Sequence, residues 1–201
     1  LFIVGGGLLD DELMTDFVTR IGGDEARLVV VTTANWRAEQ APDDILAMWR
    51  LRTQGEITLL HARSAEEANS DAFVAPLKRA TGVWLMSGRQ TRLTAAYLGT
   101  KLLAVLHAFL DRGGVIGGSS AGAAVMSEVM LSGGTLAEPG IYEGFGLLKN
   151  AIVDQHFTER KREPRLLVAL EKHPGRVGFG IDEGTALVVR GRDVQVVGRS
   201  N

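Results

Sequence analysis

The chain has 201 residues, 45% hydrophobic and 23% charged, with a formal net charge of −2. That size and balance suit a single α/β domain over 1–201 and give no global pull toward nucleic acid or a membrane surface. Cysteine is absent, which excludes disulfides, thiolate metal sites and a cysteine nucleophile.

No apolar run reaches the roughly 18–20 residues of a membrane span. The chain opens at Leu1 inside an apolar run, so part of a native N-terminus is expected to precede it; the expected location is the cytoplasm. Leu1–Val4 reads as a strand running into Gly5-Gly6-Gly7. The remainder of a G-x-G-x-x-G nucleotide loop is missing, because Leu8 and Leu9 follow, and a tight turn beside the cleft is expected instead. Asp10 or Asp11 caps a helix whose Leu13, Phe17 and Val18 share one face. Arg27–Thr33 is nearly all apolar, as a strand covered on both sides should be. Pro42 opens a helix through about Thr53, and Glu56–His61 reads as the next strand. Ser64-Ala65-Glu66-Glu67 is a capping box leading toward Arg79, with Pro76 expected to break the segment.

Gly82–Met86 is another strand, followed by the turn Ser87-Gly88-Arg89-Gln90. Leu93–Asp111 carries the longest helical pattern, ended by Gly113-Gly114. Ser132–Gly146 is glycine-rich and reads as a loop over the site. Ala151–Val153 is a strand, Pro164 starts a helix through Lys172, and Val177–Ile181, Thr185–Arg190 and Val194–Val197 read as strands, the last two a terminal hairpin. Strands alternate with helices for most of the length, so a mostly parallel sheet with an antiparallel end is expected. His61 and His107 read as packed structural histidines.

The chemistry centres on Val115–Met126. A short apolar run ends at Gly118-Ser119-Ser120-Ala121-Gly122, which fits the G-x-S-x-G strand-turn-helix elbow that lifts a serine hydroxyl off a sheet. Ser120 is the central serine; Ser119 is not, since Ala121 stands two residues beyond it. A serine nucleophile needs a base within hydrogen-bond reach and a third group to hold that base. His156 lies just past a strand end, where loops of a parallel sheet converge. For the third role Glu183 and Asp182 both sit in a turn after a strand. Asp154, two residues before His156, falls on the same face of an extended segment. Arg160, Lys161, Arg162 and Arg165 form a cationic stretch next to the base, suited to bidentate binding of carboxylates.

Gly118–Ala123, the Asp154-Gln155-His156-Phe157 run with the arginines behind it, and Gly180-Ile181-Asp182-Glu183-Gly184-Thr185-Ala186 together resemble the cyanophycinases. That serine peptidase family is shared with aspartyl dipeptidases. The resemblance spans nearly the whole chain. It implies a three-layer α/β fold with a mostly parallel sheet, similar to class I glutamine amidotransferases and flavodoxin, with a C-terminal β-hairpin. It implies Ser120 as nucleophile, His156 as general base and Glu183 as its orienting acid, with the Gly88 and Ala121 N–H groups as oxyanion hole. It places Gln90, Asp154, Gln155, Arg160, Arg162 and Arg165 around the substrate. No cofactor and no metal is implied. The implied partner is a peptide, cyanophycin or another β-aspartyl peptide cleaved to β-Asp-Arg dipeptides, and the implied assembly is a homodimer.

One position departs from the family. Its Gly-Gly-Asp-Gln turn is here Ser87-Gly88-Arg89-Gln90, so a cation stands where the relatives have an acid. Two other readings follow: an α-aspartyl dipeptidase or small-peptide hydrolase with the same chemistry, and a non-catalytic amidotransferase-like binding module.

Overall fold

A computed structural model describes residues 1–199. In chain order it runs β1 (Phe2–Val4), α1 (Asp11–Arg20), β2 (Arg27–Val31), α2 (Pro42–Arg50) and β3 (Glu56–Leu60). Next come α3 (Ala65–Ala68), α4 (Asp71–Arg79), β4 (Gly82–Leu85), α5 (Gln90–Tyr97), α6 (Lys101–Asp111) and β5 (Val115–Ser119). After these follow α7 (Ala121–Ala124), β6 (Val129–Gly134), β7 (Pro139–Glu143) and β8 (Ala151–Gln155). The last are α8 (Glu163–Lys172), β9 (Val177–Ile181), β10 (Thr185–Arg190) and β11 (Asp193–Gly198).

The central sheet has the order β11-β10-β1-β5-β4-β2-β3. The five strands from β1 to β3 are mutually parallel, and the β10–β11 hairpin is antiparallel at the far side. This is the mostly parallel α/β architecture with the expected terminal hairpin. Alternation along the strands sorts side chains between two apolar layers. Phe2, Leu28, Val30 and Trp84 meet Leu13 and Phe17 of α1 and Ile45 and Trp49 of α2 on one face. On the other, Ile3, Val29, Val31, Val83 and Leu85 meet α4 to α7.

Under β5 the first face holds an aromatic cluster. The Phe17 and Trp84 ring centroids are 4.8 Å apart at 65°, and Trp49 and Trp84 are 5.4 Å apart at 70°. Edge-on pairs of this kind add about 0.5–1.5 kcal/mol beyond the area they bury.

Helix placement opens crevices at the carboxyl edge of the sheet. β1 leads to α1 on one face while its neighbour β5 leads to α7 on the other. β2 and β4 diverge in the same way, toward α2 and α5 respectively. Neighbouring strands whose connections leave on opposite faces part at their carboxyl ends, and open α/β sheets bind ligands there.

Four local expectations are corrected. Leu93–Asp111 is not one helix: α5 and α6 meet at 102°, with Gly99 at φ +70° and the Thr100 hydroxyl donating to the Tyr97 carbonyl at 2.7 Å. The break after the capping box falls at Asn69–Ser70, where the Ser70 hydroxyl accepts the Phe73 N–H and starts α4. Pro76 lies inside α4. The Ser132–Gly146 stretch is largely the antiparallel hairpin β6–β7, not an irregular loop. Finally, β8 and β9 leave the central sheet and pair in parallel on their own, packed against α8. No single helix among the described residues is long and apolar enough to cross a membrane.

Trp84 is 1% exposed and sits at the centre of the aromatic cluster. Trp84→Ala should therefore lower the unfolding free energy by about 3–5 kcal/mol. Urea titration should show this as a lower midpoint at unchanged slope.

Candidate active site

The site is built around a sharp turn at the end of β5. Ser120 has φ +52° and ψ −105°, a region that L-residues avoid at a cost of about 1–3 kcal/mol. Its N–H donates to the Val4 carbonyl at 3.1 Å, and its own carbonyl accepts the Ala123 and Ala124 N–H groups as α7 begins. The turn is possible because residue 122 has no side chain: a Cβ there would lie 2.0 Å from the Leu85 carbonyl oxygen. Ser119 points the other way. It is fully buried, and its hydroxyl has no hydrogen-bond partner among the described residues.

His156 follows β8 and also has positive φ, +48°. Its N–H donates to the Gly5 carbonyl at 2.8 Å, fixing the residue to the end of β1. Its Nε2 lies 2.9 Å from Ser120 Oγ and its Nδ1 2.5 Å from Glu183 Oε1. An ionised carboxylate only accepts, so Nδ1 carries the proton and the Nε2 lone pair faces the serine. The glycines after β1 make room for this pair. A Cβ on Gly6 would fall 2.3 Å from the imidazole Cε1, and one on Gly7 2.6 Å from Glu183 Oε2.

Glu183 stands in the turn between β9 and β10, and two reciprocal bonds hold that turn to the His156 loop. Asp182 Oδ1 accepts the Thr158 N–H at 2.8 Å, while the Glu183 N–H donates to Glu159 Oε1 at 3.1 Å. Of the two neighbouring acids, Glu183 contacts the imidazole and Asp182 holds the backbone. Burial pushes the His156 pKa below its usual 6.5; the Glu183 hydrogen bond opposes this, and the nearby Arg160 charge adds to it.

The remaining sequence-nominated residues divide into two groups. Gln155 is buried and reaches the serine: its Oε1 is 3.5 Å from Ser120 Oγ and 2.9 Å from Arg162 Nη1. Arg162 also donates to the Gln155 carbonyl, and burial, then the neighbouring Arg165 charge, brings its pKa down to about 10, still protonated at neutral pH. Arg160 is exposed beside the histidine, with no ion-pair or hydrogen-bond partner for its side chain among the described residues. Gln90 donates to the Leu131 carbonyl at 2.9 Å and so ties α5 to the β6–β7 hairpin. The Gly88 and Ala121 N–H groups have no partner among the described residues, and Gly88 has φ +146°.

Asp154 and Arg165 form the second group, turned away from the serine into the protein. Asp154 is fully buried, and Arg165 grips it at both oxygens, with Nε 2.6 Å from Oδ2. Alternation along an extended strand groups Asp154 with His156. The left-handed conformation of His156 breaks that alternation, so Gln155 and His156 both face Ser120. The glycine turn after β1 lies beside the cleft as expected, with Gly6 against His156 and Gly7 against Glu183, while Glu159 was not foreseen as part of the site. Nothing in the sequence marks Glu159. Among the described residues no group of three or more His, Asp or Glu could hold a metal ion.

A strained serine on a strand-to-helix elbow, a histidine at its hydroxyl and a glutamate behind are arranged as a Ser-His-acid triad is on an α/β fold. The chain belongs to peptidase family S51, whose profile matches residues 1–197. It is 36% identical over 205 residues to a cyanophycinase of Synechococcus elongatus, covering 94% of this chain and 62% of that protein. A Nostoc cyanophycinase is 32% identical over 200 residues, with 94% of this chain and 66% of the relative covered. The chain thus spans about 62% of the length of the first of these curated relatives. Among solved structures, a peptidase from an acI-B1 Actinobacterium superposes with a TM-score of 0.78 at 26% identity, covering 99% of this chain and 87% of its own. A putative peptidase E from Listeria monocytogenes shares the fold at TM-score 0.63 and 13% identity, covering 99% and 98%.

A histidine that serves as a base is useful only when neutral, and burial favours the neutral form of His156. Hydrolytic activity should therefore rise with pH through a pKa below 6.5 and be full at neutrality. Glu183→Gln removes the contact that favours the charged imidazole, so the acid limb of kcat/KM should move to still lower pH while kcat falls. An acid limb that moves upward would contradict this assignment.

Proposed function

We propose that the chain is a serine peptidase for aspartyl peptides of the cyanophycin type, acting through Ser120, His156 and Glu183. The carrying observation is the continuous contact from Ser120 Oγ to His156 Nε2 and from Nδ1 to Glu183, centred on a strained serine. Ser120 Oγ attacks the scissile carbonyl carbon as Nε2 takes its proton. The oxyanion lies against the Gly88 and Ala121 N–H groups, donors with no internal partner among the described residues. Collapse of the tetrahedral intermediate breaks the C–N bond, and the imidazolium gives its proton to the leaving amine. Water, activated by the same histidine, then hydrolyses the acyl-enzyme. Glu183 holds the tautomer and offsets the imidazolium charge throughout.

The substrate class rests on the names of the relatives and on the cations beside His156. Arg160, whose side chain has no partner among the described residues, is the arginine best placed to meet a substrate carboxylate; Gln90, Gln155 and Arg162 complete the lining. The Asp154–Arg165 pair supports them from behind, since breaking a buried bidentate pair to bind substrate would leave an uncompensated charge. One observation favours a second substrate reading. Arg89 is exposed beside Gly88 without an ion-pair partner among the described residues, and it suits a carboxylate-rich aspartyl peptide better than one ending in a basic group. A homodimer belongs to the same proposal, supported by Val194 and Val196, exposed on the edge strand β11; sedimentation tests it.

Ser120→Ala should fold normally and lose about 10³-fold or more in kcat, and should no longer react with a fluorophosphonate probe. Ser119→Ala should keep both activity and labelling, since it removes only a buried, unpaired hydroxyl. Labelling that follows Ser119 would mean the elbow is misread, and no labelling of the parent protein at all would leave the non-catalytic reading standing. Arg160→Ala should raise KM for aspartyl peptides by about ten- to a hundredfold, the loss of a charge-assisted pair of about 1.5–3 kcal/mol. Lysine should restore this only in part.

A further inference from the structure

The carboxyl edge of the sheet holds a second recess that the triad does not use. It is an open cavity of ≈ 410 Å³ lined by Thr33, Glu39, His61, Arg63 and Arg92, among others. It lies at the ends of β2 and β3, beside the crevice where β2 and β4 send their connections to opposite faces. Its floor is rigid. The Thr33 hydroxyl accepts the Ala62 N–H at 3.0 Å and lies 2.5 Å from the Tyr97 hydroxyl, and Thr32 Oγ1 lies 2.8 Å from His61 Nδ1.

Its lining carries Arg63 and Arg92 against Glu39, and Glu67 stands just behind, accepting the Arg63 N–H at 2.7 Å. Glu39 Oε1 binds Arg63 at 2.8 Å and stands 3.5 Å from His61 Nε2. Burial lowers the His61 pKa, so the ring is neutral at pH 7. Arg92 has no ion-pair or hydrogen-bond partner for its side chain among the described residues, although its charge acts on both Glu39 and His61. The two acids are engaged by Arg63, through its side chain and its N–H, so Arg92, on the first turn of α5, is the cation of the recess without a direct partner among the described residues.

The recess lies close to Ser120 along the same sheet edge. Strand register places Val31, Leu85 and Gly118 level, so Thr33 and Ser120 each stand two residues beyond the same line. β2 and β5 are separated only by β4, a distance of about 10 Å. An extended peptide covers that in about three residues. The path passes the Ser87–Gln90 turn, whose Ser87 hydroxyl donates to the Ser119 carbonyl at 3.2 Å and whose Arg89 N–H donates to the Ala34 carbonyl at 3.0 Å. Arg92 follows on the helix that this turn starts.

We infer that this recess is a distal subsite, in which Arg92 binds a carboxylate of a peptide substrate longer than a dipeptide. The inference rests on the aspartyl-peptidase reading and adds a preference for length. It makes Arg92 a specificity residue that contacts substrate remote from the scissile bond.

The test compares three peptides with one aspartyl scissile bond: a dipeptide, a five-residue peptide with free distal carboxylates, and the same peptide with those groups amidated. In Arg92→Gln, kcat/KM for the acidic five-residue peptide should fall about tenfold, through KM, with the other two changed less than about twofold. Arg92→Lys should recover part of the loss. Equal losses on all three peptides, or no loss on the acidic one, would overturn the subsite. Fluorophosphonate labelling of Ser120 separates the layers. A parent protein that labels and cleaves the dipeptide while Arg92→Gln changes nothing leaves the peptidase reading intact and removes the subsite. A parent that labels but cleaves none of the peptides removes the substrate reading, and the subsite with it.

Discussion

The Leu85 carbonyl oxygen occupies the space that a β-carbon on residue 122 would need, 2.0 Å from its ideal position. That contact sets α7 directly against the end of β4. With no room for the chain to continue along the sheet, it turns at Ser120, and the cost of the turn appears as a φ of +52° on a residue with a side chain. A helix set one side chain further out would leave the backbone a gentler path, and the hydroxyl would lie lower against the sheet. The same device recurs opposite the serine. Bare backbone at Gly6 and Gly7 lets His156 and Glu183 come within van der Waals contact of the end of β1. The reactive groups are thus positioned less by their own packing than by the absence of side chains around them.

The fold was legible because its signals are local and repeated. Apolar runs such as Arg27–Val31 and Gly82–Leu85 end in small or turn-forming residues, and these marked the parallel strands. The elbow was legible because its glycines are needed at fixed offsets from the serine. What stayed hidden depends on tertiary partners. Gly99 looks like a tolerable helix residue, but it bends the chain by 102° between α5 and α6. Asp154 carries the same alternation signal as any strand residue, and only the position of Arg165 shows that it is committed to the interior. Glu159 is one more charge in a charged run until the Glu183 N–H is found against it.

Charge is distributed along the carboxyl edge in an orderly way. Arg165 neutralises the buried Asp154, and Arg162 is half-spent on Gln155. Arg89, Arg92 and Arg160 are left facing outward along the edge without ion-pair partners among the described residues.

β1 precedes the other described strands in the chain, yet both its sheet neighbours, β5 and β10, lie far downstream. It pairs Val4 with Ser119 on one side and with Ala186 on the other, so the strand that anchors Ser120 and His156 is closed only by segments made much later. Contacts of such long sequence separation are slow to form, because loop-closure entropy opposes them before packing rewards them. A nascent chain that already carries the elbow and the histidine still lacks Glu183 and the β10 partner of β1. The chain of contacts from Ser120 through His156 to Glu183 thus waits on translation past β10.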